Sequence, residues 1–293
     1  MKRSAFKNIT AFDVFNYSLM ILLAIIFVYP FWQLIVLSLS DAVTATSLGL
    51  KIIPYGLNID SYKEVFYQDV IYRAYANTIF RTAMGMLLTV LVTYCGAYVL
   101  TKKKLPLRNV FTGMILFTMF FSGGLIPGYL QIQALGLYDT YWALILPSLT
   151  SAWNIVIMRN YISSVPEDLE EAACVDGAHP IRIAFQIMMP VCKPILAVVA
   201  LWTAVGHWNA WFDALIYVPD RAKLTLQLML RRIIIENLPD YLDSSVLMNT
   251  TVNTAPETVK AATIVVSIIP ILLFYPFLQK YFVKGIMLGS LKG

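Results

Sequence analysis

Apolar residues fall in six long stretches. Runs free of Asp, Glu, Lys and Arg cover residues 14–40, 82–101, 109–138, 140–158, 194–212 and 261–279. Each meets or nearly meets the roughly 20 residues a helix needs to cross the hydrocarbon core of a bilayer. Another uncharged run, 244–256, is rich in Ser, Asn and Thr and does not qualify. The pattern predicts an all-α membrane protein with six transmembrane helices. A short polar lead, 1–13, precedes a single transmembrane domain, 14–293.

Breaks in the apolar pattern refine that reading. Pro30 and Pro147 lie inside runs one and four, and Pro270 and Pro276 inside run six. Ser122-Gly123-Gly124 and Pro127-Gly128 interrupt the outer half of run three, where glycine and proline mark close backbone approach or an unwound segment. The second helix is expected from about Asn77 to Thr101, with Arg81 snorkelling at its outer end. Between runs, Leu224, Leu226, Leu228 and Leu230, with Arg231-Arg232 and Ile233 to Ile235, predict a short amphipathic element.

The polar connection 163–190 carries a helical grammar of its own. Ser164 followed by Glu167 fits a capping box, and Pro166 suits a first helical turn. Glu167, Asp168, Glu170 and Glu171 crowd the positive end of that helix. Gly177 ends it, where the chain must turn left-handed. A second helix starts near Pro180, beside His179, and places Ile181, Ala184, Phe185 and Met188 at i, i+3, i+4 and i+7 as one apolar stripe. Such a stripe, rimmed by charge, is either a docking surface or a cover for the chain's own bundle.

Charge sets the topology. Lys2, Arg3 and Lys7 precede the first run, Lys102, Lys103, Lys104 and Arg108 join the second and third, and Lys280, Lys284 and Lys292 follow the sixth. Basic residues stay on the cytoplasmic side. Both termini, the 101–108 connection, the 163–190 loop and the 284–293 tail are therefore expected in the cytoplasm, with 41–75 and 213–260 as outward loops. The net charge of +5 reflects this placement, not a nucleic-acid footprint. A composition of 59% apolar and 13% charged residues agrees with a membrane chain. Cys95, Cys174 and Cys192 form neither a disulfide framework nor a CxxC metal site.

Fixed spacings in the polar connection carry a resemblance. Glu171-Ala172-Ala173, Gly177 three residues beyond that triplet, nine further residues, then Ile187 and Pro190 resemble the EAA loop of the membrane subunits of bacterial ABC importers. Asp176-Gly177-Ala178, Phe185 and Pro194 are similar to the carbohydrate-uptake, maltose-permease type. Met189 stands where that family usually has leucine. FSGGLIPGYL and the tail KGIMLGSLKG look most like a subgroup that imports polysaccharide fragments, including alginate oligosaccharides.

The resemblance implies a type I importer permease fold in the bacterial inner membrane. It implies a heterodimer with a sister permease, two ATP-binding subunits, and an extracytoplasmic solute-binding protein that delivers an oligosaccharide. ATP and Mg would be bound by the partner ATPase, with no cofactor on this chain. Glu171, Ala172, Ala173, Asp176, Gly177, Phe185, Ile187 and Pro190 would couple the bundle to that ATPase. By the same resemblance, the outer part of the fifth run lines the path. There Trp208, Asn209, Trp211, Phe212 and Asp213 mix aromatic faces with hydrogen-bonding groups, a chemistry suited to sugar. They suit packing between helices equally.

Catalytic grammar is missing. No GxxxxGK[ST] or HExxH occurs, and with only His179 and His207 no Ser/His/Asp arrangement can be argued. No catalytic or metal site is expected. Ion-coupled carriers keep charged or His residues near the bilayer centre. Here only His207, and Asp213 near the end of its run, come close. A secondary transporter or a non-transporting scaffold is the alternative. The former would move solute without an ATPase, and the latter would show no flux.

Overall fold

The structure, a computed structural model, describes residues 10–41, 52–54, 56–67, 69–234, 255–270 and 272–273. No strand occurs among them. The tail 284–293 and much of the loop 213–260 lie outside the described residues. The chain divides into two units, Met1–Gln68 with Leu238–Ile268, and Asp69–Asn237 with Ile269–Gly293.

The first unit holds α1 (Ala11–Ser38), α2 (Asp60–Tyr67) and most of a helix described over 256–270. A Thr10/Asp13 capping box starts α1, three residues before the first apolar run, and the helix continues through Pro30. Ser38 and Tyr62 share a hydrogen bond of 2.7 Å, and Ser61 donates to Thr258 at 2.8 Å.

The second unit is built on α3 (Asp69–Thr101), a single helix of 33 residues. It begins eight residues before the expected Asn77, because its first two turns lie in what the apolar pattern assigns to a loop. Next come α4 (Arg108–Phe120), α5 (Leu125–Ala134), α6 (Trp142–Ile145) with a 3-10 turn at Leu146–Ser148, and α7 (Ala152–Ser163). These are followed by α8 (Asp168–Val175), α9 (Pro180–Val191), α10 (Lys193–Asn209), α11 (Phe212–Tyr217) and α12 (Leu226–Ile234).

Two expected spans are not straight rods. The third bends by 116° between α4 and α5, at the Ser122-Gly123-Gly124 break, where Gly124 adopts φ +88. The fourth is split by Pro147 into α6, the 3-10 turn and α7. Among the described residues, α1 and α3 are each long and apolar enough to cross a membrane, and two bent pairs qualify if each is one span. The amphipathic element expected at 224–235 forms as α12, with Leu224, Leu226, Leu228 and Leu230 all buried.

Helix α3 packs against α10 and α7. Its Tyr94, Ala97 and Leu100 join Ile155, Met158, Ile195 and Val199 in one apolar core. Small residues permit close approach: a side chain at Gly85 would lie 2.6 and 2.7 Å from two carbons of the His207 imidazole. Gly85→Ala is therefore expected to displace His207 and cost about 1–3 kcal/mol. Thermal unfolding of the purified complex measures this; an unchanged midpoint would show that the ring moves freely.

Candidate functional site: a clamped helix-turn-helix loop and a buried ion pair

The segment 163–191 forms a helix, a turn and a second helix. Ser164 is not a cap for α8: its hydroxyl donates back to the Tyr161 carbonyl at 2.7 Å, and the helix starts at Asp168 without a side-chain cap. The expected capping box is thus absent, since Ser164 still belongs to the end of α7. Gly177 has φ +74, the left-handed turn that glycine adopts without penalty. Ala178 donates to the Ala173 carbonyl at 3.0 Å, closing the helix end. His179 caps α9, its Nδ1 accepting from the Ile181 amide at 3.3 Å.

The apolar stripe of α9 differs from expectation. Residues Ile183–Met188 form a π-helix, in which the Met189 amide bonds the Ala184 carbonyl five residues back. The wider turn brings Ile183, Ala184 and Met188 to the buried side. Ile181 and Phe185 are left exposed, with Phe185 at 6.0 Å from the Tyr94 ring. The stripe predicted from 3.6 periodicity is therefore split in two.

Of the other proposed coupling residues, Glu171, Ala172, Asp176, Gly177 and Pro190 are exposed, Ile187 is half-buried and Ala173 is buried. The loop thus turns most of this set outward, together with Leu169 and Val175.

What holds the loop is the end of α3. Tyr94 is fully buried and donates to the Ala184 carbonyl at 2.5 Å. Lys102 pairs with Glu170 and lies 3.8 Å over the Tyr98 ring. Lys103 meets Glu167 at 2.7 Å, and this hydrogen bond holds the Glu167 carboxyl below its ordinary pKa. A lowered carboxylate contributes above its unfolded pKa and is lost as pH falls through the folded one, so the tie stands at neutral pH. Its exposure keeps it weak. Sequence reasoning gave these lysines to topology and these glutamates to the helix dipole. The available signal was that the two charge clusters are opposite in sign and expected on one side of the membrane.

Twelve residues in from its start, α3 carries a buried charge. Arg81 is 2% exposed rather than snorkelling, because its guanidinium has partners inside. It pairs with Asp213, donates to the Ala210 carbonyl at 3.2 Å, and reaches His207 Nδ1 at 3.4 Å. These contacts bridge the break between α10 and α11. Nearby, Asn77 donates to the carbonyls of Ala222 and Leu224, both at 2.9 Å, and Tyr141 donates to Asn77 at 2.8 Å. Lys223 sits 3.0 Å from Asp139, whose carboxylate raises the lysine pKa.

The proposed path residues do not share one environment. Trp208 is buried, its ring centroid 6.4 Å from that of Tyr75. Trp211 lies under Arg231, whose guanidinium carbon is 3.8 Å from the ring centroid, and packs edge-on against Phe212. Asn209 and Phe212 are exposed. Asp213, with His207, lines a cavity of about 490 Å³ between α3, α7 and α10, with the 3-10 turn at one edge.

Residues 97–288 match the family described as binding-protein-dependent transport system inner membrane component. The chain belongs to this family. It is a transport permease rather than an enzyme. The polygalacturonan/rhamnogalacturonan transport system permease protein YtcP of Bacillus subtilis is 38% identical, over 96% of this chain and 98% of its own. Protein LplC of the same organism is 39% identical, over 96% and 95%. A crystal structure of a bacterial ABC transporter involved in the import of the acidic polysaccharide alginate contains a chain with TM-score 0.88 and 33% identity, covering 96% of this chain and 99% of that one. The permease fold is therefore that of an ABC importer.

Proposed function

We propose that this permease is one of two sister subunits enclosing the path of an ATP-driven oligosaccharide importer in the bacterial inner membrane. The observation that carries the reading is the α8–Gly177–α9 elbow, tied to α3 and leaving Val175, Ile181 and part of Phe185 exposed. An exposed apolar patch on a charged rim is what a docking partner covers. That partner is an ATP-binding subunit, one of two, holding ATP and Mg. The short basic connection Lys102-Lys103-Lys104 supports an elbow and termini on the cytoplasmic side.

An extracytoplasmic binding protein hands substrate to the opposite side. Closure of the ATPases moves the elbow, and α3 carries the movement to the region of Arg81 and Asp213. Among the described residues, the buried cation of the bundle is paired, Arg81 with Asp213 and His207. Reconstituted with its partner subunits, the complex is expected to take up oligosaccharide only with ATP and binding protein present. Flux that persists after the ATP-binding subunits are omitted would overturn the proposal.

A further inference from the structure

A single π-turn in α9 decides which of its side chains face outward. Met188 is 2% exposed and lies with Cys192 in the apolar core against Tyr94 and Leu100, so this end of α9 is fixed. Counted back from Met188 at about 100° per residue, an α-helix would place Ile181 within about 20° of Met188 and Ile183 about 140° away from it. The burial is the reverse: Ile183 is 2% exposed and Ile181 63%. The π-turn over Ile183–Met188, with the Met189 amide on the Ala184 carbonyl, produces this exchange.

Two influences favour that turn. Pro190 is local: in an unbroken α-helix its ring would press on the Gln186 carbonyl. Tyr94 acts from α3. It is fully buried, and its hydroxyl donates to the same Ala184 carbonyl that takes the Met189 amide, filling both lone pairs. In the α register that carbonyl would accept from the Met188 amide and turn about the helix axis, off the tyrosine. The hydroxyl would then lose its acceptor inside the core, a loss worth roughly fivefold or more in the balance of the two registers. Tyr94, Tyr98 and Lys102 recur every fourth residue, so one face of α3 reaches both arms of the elbow. Tyr94 holds α9, and Lys102 holds Glu170 of α8.

We propose that Tyr94 is a positioning residue for transport: its hydroxyl holds α9 in the π register, which turns Ile181 toward the ATP-binding subunit and Ile183 into the core. What Ile181 meets rests on the importer reading above; the register itself belongs to this chain alone.

The test uses the full-length permease with its sister subunit in permeabilised membranes, without ATP-binding subunits, and a hydrophilic maleimide as probe. Cys95, Cys174 and Cys192 are replaced by alanine, and one reporter is added, Ile181→Cys or Ile183→Cys. Labelling is followed in this parent, in Tyr94→Phe, which keeps the ring, and in Pro190→Ala, which leaves α3 untouched. In the parent the reporter at 181 should react and the one at 183 should not. Tyr94→Phe is expected to slow the first and quicken the second, changing their ratio roughly fivefold or more, and Pro190→Ala to move it the same way. An unchanged ratio in Tyr94→Phe overturns the proposal, whatever Pro190→Ala does. Faster labelling at both positions means local opening rather than a change of register, and overturns it too. In the reconstituted transporter with its native cysteines, Tyr94→Phe should lower the sugar moved per ATP hydrolysed by roughly fivefold. An unchanged yield overturns the role in transport. If the unmodified transporter moves no oligosaccharide with ATP and binding protein present, the importer reading fails while the labelling result stands.

Discussion

Valine in place of Gly177 is expected to abolish uptake while the partner ATPase goes on hydrolysing ATP. Gly177 stands at φ +74, with open space around the position where a side chain would begin. The obstacle is therefore backbone conformation, not crowding. A β-branched residue in the left-handed region costs on the order of 1–3 kcal/mol, which the chain escapes by redrawing the turn. Redrawing it swings α8 against α9 and misaligns the two faces proposed to meet the ATP-binding subunit. Insertion and assembly should survive, because the ties from Tyr94 and Lys102 lie on either side of the turn. Uptake and phosphate release from the same proteoliposomes decide it; uptake near the unmodified level would show that the turn is not part of the drive. Gly177→Asn, which tolerates this backbone better, should retain a substantial fraction of transport.

The second large effect is expected at Arg81. Arg81→Met removes the cation but leaves Asp213 in a cleft next to the α10–α11 break. Removing one partner of a buried pair costs about 3–5 kcal/mol, and the partial exposure of Asp213 places this case near the lower end. Such a loss is enough to reduce the amount of assembled complex severalfold. The double variant Arg81→Met with Asp213→Leu removes both charges, and replacing both partners by apolar groups is often neutral. It should recover most of the assembled complex. Thermal unfolding of Arg81→Met, Asp213→Leu and the double variant forms a double-mutant cycle, and additive losses would mean the pair holds nothing together.

Local chemistry was readable from the sequence, and distant pairing was not. The left-handed turn at Gly177, the start of α9 at His179-Pro180 and the break at Ser122-Gly123-Gly124 depend on residues within a few positions of each other. All three fall where the sequence puts them. The apolar stripe of α9 was misread because a π-segment changes the period, and nothing in IAFQIM announces it. Arg81 was assigned to the interface since its partner, Asp213, is 132 residues away. Ser164 satisfied a motif whose geometry required the helix to begin earlier than it does.

Helix α3 makes its attachments at two levels, Arg81 twelve residues in from its start and Tyr94 with Lys102 toward its far end. Thirteen residues separate the first two, about 20 Å along an unbroken helix. The two levels are consequently locked in phase as well as in distance. One residue inserted between them would turn one set about 100° away from its partners, leaving every side chain present and the bundle's two ends aimed at different neighbours.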